Sequence, residues 1–207
     1  MDRTDHYIFD LDNTLVDSRK GYEKAYRTAF KEFDMPYDPN RYDEYIGTPL
    51  DMIFSSYHPN SPCKYRDFLS IVINTYENCY LDNVGLFPDA ERCLIRLYNE
   101  GKVLGVVSNS YHSHISSILS KLDILELFSS MVGYDDVSFP KPDPEPVLLC
   151  MSEMNAIPER TIMIGDSEND IRSGKHAGIR TVLISRNIND PFMTEADEVI
   201  DSLDLVM

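Results

Sequence analysis

Four short apolar runs each stop on polar residues, and this repeated boundary constrains the fold more than any other feature of the chain. His6-Tyr7-Ile8-Phe9 runs into Asp10, and Val103-Leu104-Gly105-Val106-Val107 runs into Ser108-Asn109. Thr161-Ile162-Met163-Ile164 ends at Gly165-Asp166, and Thr181-Val182-Leu183-Ile184 ends at Ser185. Near-continuous apolar runs of this length suit strands buried on both faces. Helical spacing lies between them. Leu94, Ile95, Leu97 and Tyr98 precede a stop at Gly101, Ile115, Ile118, Leu119 and Leu122 follow three- and four-residue steps, and so do Val147, Leu148, Met151 and Met154. Strand–helix alternation predicts an α/β fold, a parallel sheet with helices on both faces. Ligands of such sheets bind beyond the carboxyl ends of the strands, where these polar residues sit.

One segment breaks the alternation. From about Asp17 to Val84 the periodicity is helical. Tyr22, Tyr26, Ala29, Phe30 and Phe33 form one stripe, and Tyr65, Phe68, Leu69, Val72, Tyr76 and Tyr80 form another. Pro36, Pro39, Pro49, Pro59 and Pro62 punctuate the space between, and nine of the thirteen tyrosines fall in the segment. The expected organisation is a core of residues 1–16 and 85–207, with an inserted α-helical domain of residues 17–84. The 207 residues suffice for one domain with such an insertion.

Charge limits the partners. The net charge is −16, which repels nucleic acid and anionic membrane, so neither is expected as a partner. A phosphate site in so acidic a chain must supply its own cations. No apolar run approaches the length of a membrane span. The N-terminus, Met1-Asp2-Arg3-Thr4-Asp5, is polar, and Cys63, Cys79, Cys93 and Cys150 form no C-x-x-C pair. Reduced thiols in a cytoplasmic protein are the expectation, as a monomer or homodimer. The five histidines show no metal-ligand spacing, and none is given a catalytic role.

Four motifs sit at the predicted strand tips or beside them. The first is Phe9-Asp10-Leu11-Asp12-Asn13-Thr14-Leu15. Two carboxylates this close repel unless a cation intervenes, and Mg²⁺, a hard oxygen-seeking ion, is the natural one. The second, Gly165-Asp166-Ser167-Glu168-Asn169-Asp170, adds two more carboxylates; Asp170 also suits the first turn of a helix. The third, Ser108-Asn109-Ser110, offers a hydroxyl and an amide that can hold phosphate oxygens or cap a helix. The fourth is Phe139-Pro140-Lys141-Pro142-Asp143-Pro144-Glu145-Pro146, where flanking prolines stiffen the chain around a lysine.

In this order the four motifs resemble the haloacid dehalogenase-like superfamily of phosphohydrolases, over nearly the whole chain. The insert resembles the small helical cap of its phosphoglycolate phosphatase and β-phosphoglucomutase branch. Phe87-Pro88-Asp89-Ala90 resembles the return into the core, and Tyr45-Ile46-Gly47-Thr48-Pro49-Leu50 a cap turn. The resemblance implies a Rossmann-like core and Mg²⁺-dependent hydrolysis of small phosphorylated metabolites. It makes Asp10 the nucleophile and Asp12 the general acid and base. Asp10, the Asp12 carbonyl and Asp166 would hold the metal, with Asp170 supporting that shell or orienting Lys141. Ser108, Asn109 and Lys141 would bind the transferring phosphoryl group. Asn13 stands where relatives often carry Gly, and Ser110 where they often carry a basic residue.

Two other readings belong beside this one. A phosphomutase of the same branch would work through a bisphosphate; such relatives often carry Glu where this chain has Gly165, which favours hydrolysis. Intact Asp12 and Asp166 argue against a dehalogenase of the superfamily, and a non-catalytic ligand-binding relative would be expected to lack one of Asp10, Asp12, Lys141 or Asp166, all of which are present. Arg19 and Lys20, just after the first motif, suit either a substrate carboxylate or a solvated helix start.

Overall fold

β1 (His6–Phe9) lies between β4 (Val103–Val107) and β6 (Thr161–Gly165), parallel to both. Three of its four residues, Tyr7, Ile8 and Phe9, are fully buried, as a central strand covered on both faces requires. The computed structural model describes residues 4–41, 45, 50–59, 62–186 and 195–207. Its main sheet has the order β5-β4-β1-β6-β7-β8, completed by β5 (Phe128–Val132), β7 (Arg180–Ile184) and β8 (Glu198–Ile200), with every pairing parallel. A separate antiparallel ribbon joins β2 (Val16–Asp17) to β3 (Gly85–Leu86).

The chain forms an α/β fold of the Rossmann-like kind. Four of its six main strands are the four apolar runs of the sequence. β5 and β8 escape that reading for a physical reason. Both are edge strands, so part of each faces solvent, and Phe-Ser-Ser-Met-Val and Glu-Val-Ile lack a continuous apolar run. β2 and β3, two residues each, carry no detectable period.

The chain divides into two compact units, Met1–Asp17 with Gly85–Met207, and Ser18–Val84. In the first, α4 (Pro88–Asn99), α5 (His112–Lys121), α6 (Glu145–Glu153) and α7 (Glu168–His176) connect the strands. Buried Ile8, Val107, Val147, Cys150, Met151 and Met163 belong to one core cluster of this unit. The second unit holds α1 (Arg19–Glu32), α2 (Leu50–Tyr57) and α3 (Pro62–Asn83). Its core is aromatic. Phe30 and Phe68 are fully buried with ring centroids 6.1 Å apart, and Phe54 packs 5.1 Å from Phe68. Tyr26, Val72 and Tyr76 of the two predicted stripes are buried there too, while Arg19 and Lys20 are exposed at the start of α1. The cap-turn residues Ile46–Pro49, residues Met1–Arg3 of the N-terminus and the side chains of Cys63, Cys79 and Tyr80 lie outside the described residues. Among the described residues, no helix is long and apolar enough to cross a membrane.

Candidate active site

Strand register brings the predicted residues together. Phe9 pairs with Val106 on one side and Ile164 on the other, so Asp10, Ser108 and Asp166 leave three adjacent strands at nearly one level. The Asp10 amide still bonds the Ile164 carbonyl at 2.9 Å, which fixes the residue to the sheet edge. Beyond it the chain turns back sharply. Leu15 and Val16 amides both donate to the Leu11 carbonyl at 3.0 Å, and Asn13 takes a left-handed φ of 58°. Asn tolerates that region far better than most residues.

Lys141 is the hub. Its buried ammonium donates to Asp10 Oδ1 at 2.7 Å, Asp170 Oδ1 at 2.6 Å and the Val107 carbonyl at 2.8 Å. An ammonium has three donors, so all of them are spent. The loop that delivers it is locked by Asn109, whose Oδ1 accepts from the Lys141 amide at 3.1 Å and whose Nδ2 donates to the Lys141 carbonyl at 3.0 Å. Both ends of the Asn109 side-chain amide thus hold the Lys141 backbone in place. The Ser108 hydroxyl accepts from the Ser110 amide at 3.0 Å and keeps its own proton to donate. Ser110 Oγ in turn donates to Asp12 Oδ2 at 3.2 Å.

Asp170 does two jobs with its two oxygens. Oδ1 meets Lys141, while Oδ2 accepts from the Ser167 amide at 3.0 Å and the Ser167 hydroxyl at 2.6 Å. This reciprocal cap starts α7, as the Ser-x-x-Asp spacing allows. Capping and lysine orientation, alternatives in the sequence, therefore coexist. Gly165 makes room for the arrangement. A Cβ there would lie 2.3 Å from the Asp170 carboxyl carbon. We expect Gly165→Ala to cost about 1–3 kcal/mol through this overpacking. It should also lower turnover by shifting Asp170 off Lys141; denaturant unfolding and initial rates on one preparation check both effects.

One carboxylate oxygen from each of Asp10, Asp166 and Asp170 lies within 4.8 Å of the others. Burial, with Asp170 and Asp12 adding repulsion, pushes Asp10 up to about 7 despite Lys141. Burial and then the charges of Asp10 and Asp170 push Asp166 well above the usual range. Burial alone would lower Lys141, but its two carboxylate partners hold it above its ordinary value. Among the described residues, nothing donates to the Asp166 carboxylate. Three acids around one saturated lysine leave negative charge uncompensated, and oxygen donors alone suit a hard divalent cation. The donor set fits one, with Asp10 and Asp166 the better ligands because Asp170 is already occupied on both oxygens.

Several contributors were not legible in the motifs. The Val107 carbonyl is backbone and carries no sequence signal. Ser167 had one, its spacing to Asp170. Arg186 and Asp89 lie far apart in sequence, yet they form a paired clamp against the Asn13–Thr14 backbone.

Comparison with known proteins gives the family. The family model described as haloacid dehalogenase-like hydrolase matches residues 7–184. A pyrophosphatase, PpaX, of Oceanobacillus iheyensis is 30% identical over 184 residues, covering 88% of this chain and 84% of that protein. A phosphoglycolate phosphatase of Salmonella typhimurium is 30% identical over 220 residues, covering 94% and 87%. Among solved structures, a haloacid dehalogenase-like hydrolase from Bacteroides fragilis superposes with a TM-score of 0.86 at 26% identity, over 99% of this chain and 100% of that one.

Proposed function

The chain belongs to the haloacid dehalogenase-like hydrolase family and is a phosphohydrolase, and from that premise we propose that it is a Mg²⁺-dependent phosphatase of small phosphomonoesters working through an aspartyl-phosphate on Asp10. The observation that carries the reading is Asp10 held by Lys141 at 2.7 Å, with Asp166 from the neighbouring strand tip beside it. A carboxylate fixed in this way is aimed, and a lysine beside it offsets the repulsion between an anionic nucleophile and an anionic phosphate.

Asp10 attacks phosphorus, and the bond from phosphorus to the leaving oxygen breaks. Asp12, steadied by Ser110, gives its proton to that oxygen. Asp12 then takes a proton from water as that water attacks phosphorus, the bond to Asp10 breaks and phosphate leaves. The Ser108 hydroxyl and the Asn109 backbone N–H donate to the phosphoryl oxygens. Lys141 acts mainly by its charge, since contact with phosphate requires it to exchange one of its three bonds. Asp10, Asp166 and the Asp12 carbonyl would hold Mg²⁺, which supplies charge neutralisation at the transferring group. Residues 17–84, nearly all of them in the second compact unit, are read as an inserted helical cap domain. Reduced, buried Cys93 and Cys150 suit a cytoplasmic enzyme.

The test is phosphate release from a panel of phosphoglycolate, sugar phosphates, nucleotides and pyrophosphate, with Mg²⁺ and with EDTA. We expect release from at least one member that EDTA abolishes. No Mg²⁺-dependent release from any member would sink the proposal. The mutase reading is disfavoured by the crowding at Gly165, which leaves no space for a side chain there unless Asp170 moves.

A further inference from the structure

Arg186 belongs to none of the four motifs, yet it grips the loop that carries two of the reacting carboxylates. It lies two residues beyond the end of β7 at Ile184, and its side chain is largely buried. Nε donates to the Asn13 carbonyl at 2.9 Å and Nη2 to the Thr14 carbonyl at 2.6 Å. Nη1 reaches both Asp89 carboxylate oxygens at 3.1 Å, and the guanidinium carbon lies 3.7 Å from the centre of the Phe87 ring. Asp89 is itself anchored, accepting from the Leu203 amide at 2.8 Å and the Ser202 hydroxyl at 3.3 Å.

The loop needs such a partner. Its sharp turn spends the Leu11 carbonyl on the Leu15 and Val16 amides, and the Asn13 and Thr14 carbonyls accept from Arg186. Only a planar fork can serve two carbonyls, a carboxylate and an aromatic face at once, and a lysine has no such geometry. We propose that Arg186, braced by Asp89 and Phe87, is a positioning residue that sets the placement of Asp12 relative to Asp10. This deepens the reading above, since it takes those two carboxylates as the reacting groups.

The test compares wild type, Arg186→Lys, Arg186→Ala and a control, Arg92→Ala. Arg92 pairs with Asp204 on the surface. The first readout is amide hydrogen exchange in metal-free protein, followed on a peptide covering residues 10–16 and one covering β4. In both Arg186 variants the loop peptide should exchange about tenfold faster or more, with β4 and the control unchanged. The second readout is steady-state kinetics on the best substrate. We expect kcat to fall about tenfold or more with KM nearly unchanged, because a small misplacement near the chemistry is costly. Millimolar methylguanidinium should restore part of the kcat of Arg186→Ala and leave that of Arg92→Ala unaltered. Wild-type exchange in the loop, or a rise shared equally by β4, would overturn the proposal; so would an undiminished kcat. A wild type without turnover would overturn the phosphatase reading instead, and the exchange data would still decide the clamp. Should Arg186→Ala fail to fold, Arg186→Lys carries the same comparison.

Discussion

Asp10→Asn should leave a folded protein with no measurable turnover. The amide keeps the shape of the carboxylate but cannot attack phosphorus, and loss of a nucleophile removes on the order of 10³-fold or more in kcat. Stability should move the other way. Asp10 is buried beside Asp166 and Asp170, and its carboxylate is held up at about 7 because the site disfavours its charge. An amide removes that charge, and the ammonium of Lys141 keeps Asp170 as its counter-ion. In metal-free buffer we therefore expect the melting temperature of Asp10→Asn to equal or exceed that of wild type. Initial rates and thermal melts on one preparation test both halves. Full turnover in the variant would refute the role of Asp10. A large fall in melting temperature would refute the electrostatic account of the site.

Lys141→Met should be the most damaging single change in the core. It deletes the only side-chain cation contacting Asp10 and Asp170 among the described residues and leaves both buried carboxylates facing each other. Breaking a buried ion pair by removing one partner costs about 3–5 kcal/mol. For a chain of this size that is a fall in melting temperature of very roughly 6–20 °C. Turnover should vanish as well, since Asp10 loses the group that aims it. The loss should shrink when Lys141→Met is made in the Asp10→Asn background, because one of the abandoned charges is then absent. A double-mutant cycle by denaturant unfolding measures this coupling. Additive effects would mean that Lys141 and Asp10 do not act on one another as their 2.7 Å contact requires.

The elements most visible in the sequence were those whose environment is uniform. β1, β4, β6 and β7 are central or nearly so, buried on both faces, and read as apolar runs. β5 and β8 sit at the edges, where a half-exposed strand mixes serine or glutamate with its apolar residues. The site was legible to the same degree for a related reason. Asp10, Ser108 and Asp166 stand where apolar runs end, and side-by-side strands carry them to one place. Asn109 shows the limit. Its residue type suits a phosphate contact, but only the folded loop reveals that both ends of its amide are used to hold Lys141. Arg186 and Asp89 were invisible because their meaning comes from contacts across 97 residues of chain. Neither a period nor a local motif encodes such a pair.

The central claim, covalent transfer to Asp10, is tested most directly in Asp12→Asn. An aryl phosphate has a leaving group that needs little help from a general acid, whereas release of the phosphoryl group from Asp10 needs a base. Mixed with p-nitrophenyl phosphate and Mg²⁺, the variant should release about one nitrophenolate per protein in a burst, as accumulation of a covalent intermediate demands. After acid quench, peptide mass spectrometry should find one phosphoryl group on Asp10. A burst with an unmodified Asp10, or with the phosphoryl group on another residue, would contradict the account.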